Sequence, residues 1–120
     1  MKEENIIADK SFRFAIRIVN LYKFLCGERK EFILSKQLLR SGTSIGALIR
    51  ESEHAQSKAD FINKVNIALK EANETEYWLL LLRETDYLTE SEFNSIIEES
   101  RELIRLTASI VKTTKLSIEN

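Results

Sequence analysis

The sequence predicts an all-α fold, an antiparallel up-down-up-down four-helix bundle, on three observations. The chain has no proline and three glycines in 120 residues, so almost nothing in it interrupts a helix. Apolar residues recur at alternating steps of three and four in successive stretches, which places them on one side of a helix. The connections between these stretches are short, and short connections make consecutive helices antiparallel neighbours. A single domain over residues 1–120 holds all four, since a chain of this length buries roughly two thirds of its unfolded surface.

The first helix is expected over about residues 9–26. Phe12, Ile16 and Val19 share one face, and Phe14, Ile18, Leu21 and Leu25 line a neighbouring one. Gly27 is positioned to end it by adopting the left-handed conformation. The second, over about 30–56, carries the seam Leu34, Leu38, Ser41, Ile45, Leu48, Ser52 and Ala55. Ser57 is an N-cap, with Asp60 three residues on, for a third helix over 58–85. Its seam is Phe61, Val65, Ala68, Ala72, Thr75, Leu79 and Leu82. "TDYL" then turns the chain, and Thr89 with Glu92 forms a capping box that opens the fourth helix, over 90–115. Phe93, Ile97, Ser100, Ile104, Thr107 and Val111 make the last seam. Residues 1–8 and 117–120 are expected to fray.

Composition excludes several function classes. A formal net charge of −1 argues against a protein that coats nucleic acid generally. The charge is uneven: residues 1–60 carry 11 Lys and Arg against 8 Asp and Glu, and residues 61–120 carry 7 against 11. A polyanion would therefore prefer the first half. The one cysteine, Cys26, rules out an intrachain disulfide and suits a cytoplasmic compartment, where it packs as a small apolar side chain. "MKEENIIADK" lacks the apolar core of a signal peptide, and "YWLLLL" is far too short to span a bilayer, so no membrane partner is expected.

Five features are candidates for a site. In "RSGTSIGALIRES", Gly42 and Gly46 lie four apart on one helix face, and each costs about 1 kcal/mol of helix propensity relative to alanine. A phosphate loop would need a preceding strand and a Lys-Ser/Thr pair at fixed distance, which are absent. Close approach of a neighbouring helix offsets the cost; a kink or ligand notch is the alternative. Glu51 and His54 form one Glu-x-x-His pair, but a di-iron carboxylate site needs two, and His54 is the only histidine. No metal or other cofactor is expected. No nucleophile elbow is present, so no catalytic residue is assigned and the chain is expected not to be an enzyme. Lys10, Arg13 and Arg17 on the first helix, with Lys36 and Arg40 on the second, make two basic stripes. These are either a solubilising surface or candidate nucleic-acid contacts, which repetition in a symmetric assembly would strengthen. Glu71 and Glu74 share a flank with Trp78 and are either plainly solvated or part of a half-buried polar network.

The fifth feature is "YWLLLL", Tyr77 to Leu82. Six consecutive apolar residues encircle a helix, so with Leu79 and Leu82 on the seam, Tyr77, Trp78 and Leu81 point away from the chain's own core. Either the first helix covers them or a second copy does, and an all-round apolar helix is buried on more than one side.

The span "LLRSGTSIGALIRESEHAQSKADFINKVNIALKEANETEYWLLLL", with the turn and amphipathic helix that follow, resembles the four-helix-bundle family of proteins encoded in intervening sequences of bacterial 23S rRNA genes. The resemblance covers roughly Phe14 to Lys115 and is most specific in "RSGTSIGALIRE", "SKADFINKV" and "ALKEANETEYWLLLL". It implies a homo-oligomer, a pentameric ring, with no established enzymatic activity. Family members often carry asparagine where Leu48 stands, so a role for that amide does not carry over. The related accessory variability proteins of diversity-generating retroelements bind nucleic acid and a reverse transcriptase through a basic surface. The expected role is thus a self-assembling scaffold, with an RNA- or DNA-binding module of the first two helices as the alternative.

Overall fold

The computed structural model describes the backbone of residues 2–119 and the side chains of residues 5–118. Four α-helices follow one another: α1 (Lys2–Gly27), α2 (Leu34–Ser52), α3 (Lys58–Glu84) and α4 (Glu90–Glu119). Each packs on its neighbours in sequence, and α1 meets α4 to close the square, while α1/α3 and α2/α4 are the diagonal pairs, with no Cα atoms within 8 Å of each other. The molecule measures 50 × 21 × 21 Å. A helix rises 1.5 Å per residue, so α4 alone spans about 45 Å of that length.

The seams lie at the centre. In α3 every seam residue from Val65 to Leu82 is buried, and in α2 Leu38, Ser41, Ile45 and Ser52 are. Ile49, Ile96, Leu103 and Ile110 add a second buried column outside the expected seams. In α1 the core side is that of Phe14, Ile18 and Leu25, joined by Ile7 and Ser11. The other apolar face of α1 is on the outside: Phe12 is 60% and Ile16 48% exposed.

Four boundaries differ from those the sequence suggests. The terminal helices run on to Lys2 and Glu119, because Ile7 still finds core to bury against. Met1 and Asn120 lie outside the described residues. The second helix starts at Leu34, since Glu31 turns its carboxylate onto the N–H groups of Ile33, Leu34 and Ser35 at 3.2, 3.0 and 2.6 Å. Those are donors that the first turn of a helix leaves unpaired. The second helix also ends at Ser52, four residues early, so that Ser57 can cap α3 by accepting the Asp60 N–H at 3.0 Å.

Gly27 does not take a left-handed conformation. The residues that do are Lys30 (φ 55°) and Asp86 (φ 68°). Asp86 closes α3: its N–H reaches the Arg83 carbonyl and the Tyr87 N–H reaches that of Leu82, at 3.1 and 2.9 Å. This double bond satisfies carbonyls that the helix end leaves open. The capping box of α4 forms in both directions: the Thr89 N–H donates to Glu92 at 2.8 Å and the Glu92 N–H to Thr89 Oγ1 at 3.1 Å.

Candidate assembly surface and the basic stripes

At the glycine stretch the two first helices come very close. A Cβ on Gly42 would stand 2.7 Å from Cγ1 of Ile18, and one on Gly46 would stand 3.3 Å from the backbone oxygen of Ser11. Both glycines are inside α2, which runs through the stretch without interruption. Local propensity favours alanine here, but room for a methyl group is absent at Gly42 and tight at Gly46.

The basic stripes are split between two seams and neutralised. Lys10 and Arg17 face α4, Lys10 bonding Glu102 at 3.2 Å and Arg17 bonding Glu99 at 2.9 Å together with Ser95. Arg13 pairs with Asp9 on its own helix at 3.2 Å. Arg40 faces the other way, across to α3, and bridges Glu71 and Glu74 at 3.2 and 2.6 Å. Lys36 alone of the five has no carboxylate partner among the described residues. The α1–α4 and α2–α3 seams are opposite sides of the square, so no single surface of α1 and α2 presents these cations.

Glu71, Glu74 and Trp78 belong to the half-buried network that the sequence allowed. The Trp78 indole N–H donates to Glu74 at 3.2 Å. The Arg40 guanidinium beside Glu74, with that indole N–H, holds the Glu74 carboxyl below the ordinary range against the opposing effect of burial. Glu51 and His54 do not come together as ligands: Glu51 pairs with Lys64 at 3.4 Å, and His54 lies exposed beyond the end of α2. No group of three or more His, Cys, Asp or Glu able to hold a metal occurs among the described residues. Among the described residues no helix is long and apolar enough to cross a membrane.

The three aromatic and aliphatic residues of α3 diverge. Tyr77 points out, 56% exposed, with its ring 5.0 Å from that of Trp78 in an edge-on arrangement. Trp78 is half-buried against the core on the α2 side, and Leu81 is half-buried one turn beyond Tyr77. The first helix does not cover them, because α1 is diagonal to α3 and their Cα atoms stay more than 8 Å apart.

A surface that the sequence pattern did not single out is the α1–α2 seam. Cross-helix ion pairs lace the other three: Lys10–Glu102 and Arg17–Glu99 join α1 to α4, Arg40–Glu74 and Lys64–Glu51 join α2 to α3, and Arg101–Glu76 joins α3 to α4. Between α1 and α2 the described residues make none, and the one polar side-chain contact is Cys26 Sγ to Ser35 Oγ at 3.8 Å. The outside of this seam is a groove of about 500 Å³ lined by Ala8, Phe12, Ala15, Gly46 and Ala47, with Arg50 and Glu53 also lining it. The sequence did carry a signal for it. Helix α1 has two apolar faces, and a corner helix of a bundle has one core.

Residues 3–109 match the family model described as 23S rRNA-intervening sequence protein. Among solved structures, the chain is similar to a crystal structure of a protein with unknown function from the S23 ribosomal protein family of Bacteroides thetaiotaomicron VPI-5482. The two are 64% identical, the match covers 92% of this chain and 98% of that one, and the TM-score is 0.90. No curated protein matches this chain.

Proposed function

Since the chain belongs to the 23S rRNA-intervening sequence protein family, for which the similar solved structure names no activity, we propose that it is a non-enzymatic scaffold whose immediate act is self-assembly. One observation carries this reading. The bundle has a complete core, yet it leaves Phe12, Ile16 and Tyr77 about half exposed or more. Apolar patches of this kind on a small soluble domain mark interaction surfaces. A ring of five copies is the assembly we favour, from the family resemblance.

The alternative is an RNA- or DNA-binding module acting through Lys10, Arg13, Arg17, Lys36 and Arg40. Phosphate binding would require four of these cations to give up carboxylate partners at 2.6 to 3.2 Å, so the scaffold reading is preferred. Light scattering coupled to size exclusion tests it: a mass several times that of the 13.9 kDa chain is expected at micromolar concentration. A single-chain mass removes the scaffold reading. Gel shifts with RNA and duplex DNA test the alternative, which returns if binding is tight at low salt and falls steeply as salt rises.

A further inference from the structure

We propose that the folded bundle opens along its α1–α4 seam: α1 pivots on its close contact with α2 and parts from α4, against a clasp of exposed ion pairs that salt loosens. The inference concerns a single chain and does not depend on the self-assembly reading.

Connectivity singles out this seam. The connections 28–33, 53–57 and 85–89 tie α1 to α2, α2 to α3 and α3 to α4, and each holds its pair of helices together at one end. No connection spans α1 and α4, so they separate without any loop being stretched.

Packing singles out the same seam. The backbones of α1 and α4 come within 8 Å at far fewer places than those of any other adjacent pair. Two grooves lie along it. One of about 430 Å³ is lined by Leu21, Phe24 and Ile96 with Arg17, and one of about 220 Å³ by Phe14 and Leu103 with Lys10 and Glu102. Side chains that face a groove lose the dispersion contacts that a tightly packed seam supplies. On its other side α1 is held closely, because Gly42 and Gly46 of α2 admit Ile18 and the Ser11 backbone. That contact is the pivot.

Charged side chains span the seam. Lys10–Glu102 and Arg17–Glu99 cross it at 3.2 and 2.9 Å, and Arg29, just beyond α1, meets Glu92 of α4 at 2.9 Å. Arg17 also donates to the Ser95 carbonyl and hydroxyl, each at 2.8 Å. All six charged side chains are 30 to 47% exposed, and ion pairs in contact with water are weak and screened by salt. Beneath them Phe14, Ile96 and Leu103 are buried, so apolar burial favours the closed state and the clasp sets how often it opens.

Thiol labelling tests this. In a Cys26→Ser background, Leu103→Cys puts a buried thiol beneath the seam, and Ala72→Cys puts one in the core side of α3, diagonal to α1. The Leu103→Cys thiol is expected to react with an aromatic disulfide reagent at least about tenfold faster than the Ala72→Cys thiol, at a rate that low urea hardly changes, since a local parting exposes little surface. Raising NaCl from about 0.05 M to about 0.5 M is expected to speed it severalfold. Glu99→Lys with Glu102→Lys does the same, whereas Glu74→Lys on the α2–α3 seam leaves the rate unchanged. Equal rates at the two thiols, both climbing steeply from the first addition of urea, mean that only global unfolding exposes the seam and overturn the proposal. Spin labels read the same motion without altering the core. Asn20→Cys on α1 and Asn94→Cys on α4 are exposed, and dilution of the labelled chain into excess unlabelled protein restricts the reading to distances within one chain. Their distance distribution is expected to hold a longer component that grows with salt, while Ala47→Cys with Asn66→Cys, exposed on α2 and α3, gives one narrow distance at every salt concentration. A single salt-independent distance between the α1 and α4 labels overturns the proposal as well.

Discussion

At the scale of single residues the molecule holds two kinds of tension. Gly42 is a packing requirement: the Cβ of an alanine there would meet the branched carbons of Ile18 at 2.7 and 2.9 Å, and isoleucine is stiff at that torsion. Gly42→Ala is expected to destabilise by about 1 to 3 kcal/mol although alanine is the better helix former by about 1 kcal/mol. Denaturant unfolding measures it, and combining it with Ile18→Ala should cost less than the sum of the two changes. Ser100 is the opposite case. It is fully buried and its hydroxyl has no hydrogen-bond partner. An unpaired buried hydroxyl costs about 1 to 3 kcal/mol, so Ser100→Ala is expected to raise stability by about 1 kcal/mol in the same measurement.

At the scale of elements, stability sits at the helix ends. The Glu31 carboxylate is buried, which by itself raises its pKa, but the amides of Ile33, Leu34 and Ser35 at the start of α2, whose hydrogen bonds it accepts, outweigh burial and hold it below the ordinary 4.5. A folded pKa below the unfolded one means that this stabilisation is fully present above the unfolded value and disappears as pH falls through the folded one. The parent is therefore expected to lose more melting temperature between about pH 6 and about pH 3 than the Glu31→Gln variant, which is already weaker at the upper pH. Lys30, one residue earlier, holds φ at 55°. A left-handed residue with a Cβ costs about 1 to 2 kcal/mol, so Lys30→Gly is expected to raise the melting temperature, by a smaller amount once glycine's unfolded-state entropy is counted.

At the scale of the whole molecule, the square of helices decides which faces are free. A chain that assembles through those faces gains stability by mass action, so its melting temperature is expected to rise with protein concentration. A melting temperature constant over a hundredfold dilution would mean that the folded unit is one chain. The sequence suggested a basic surface shared by the first two helices. Packing sends Lys10 and Arg17 to one side and Arg40 to the opposite one, each toward a carboxylate.

The sequence by itself determined the four helices and the inner faces of α2, α3 and α4. Val65 to Leu82 on α3, the Ser57 cap and the Thr89–Glu92 box were legible because periodicity and capping are local, written within a few residues of one another. Family membership was legible in the same way, from contiguous motifs such as "RSGTSIGALIRE". Only the tertiary structure decided which of the two apolar faces of α1 is inside, that α1 lies too far from α3 to cover Tyr77, and which carboxylate each arginine meets. The physical reason is that periodicity fixes the angle of a side chain about its own helix but not the neighbour at that angle. That neighbour is set by the order of helices around the square and by their relative heights, which contacts distant in sequence fix: Gly42 against Ile18, and Ser41 against Thr75.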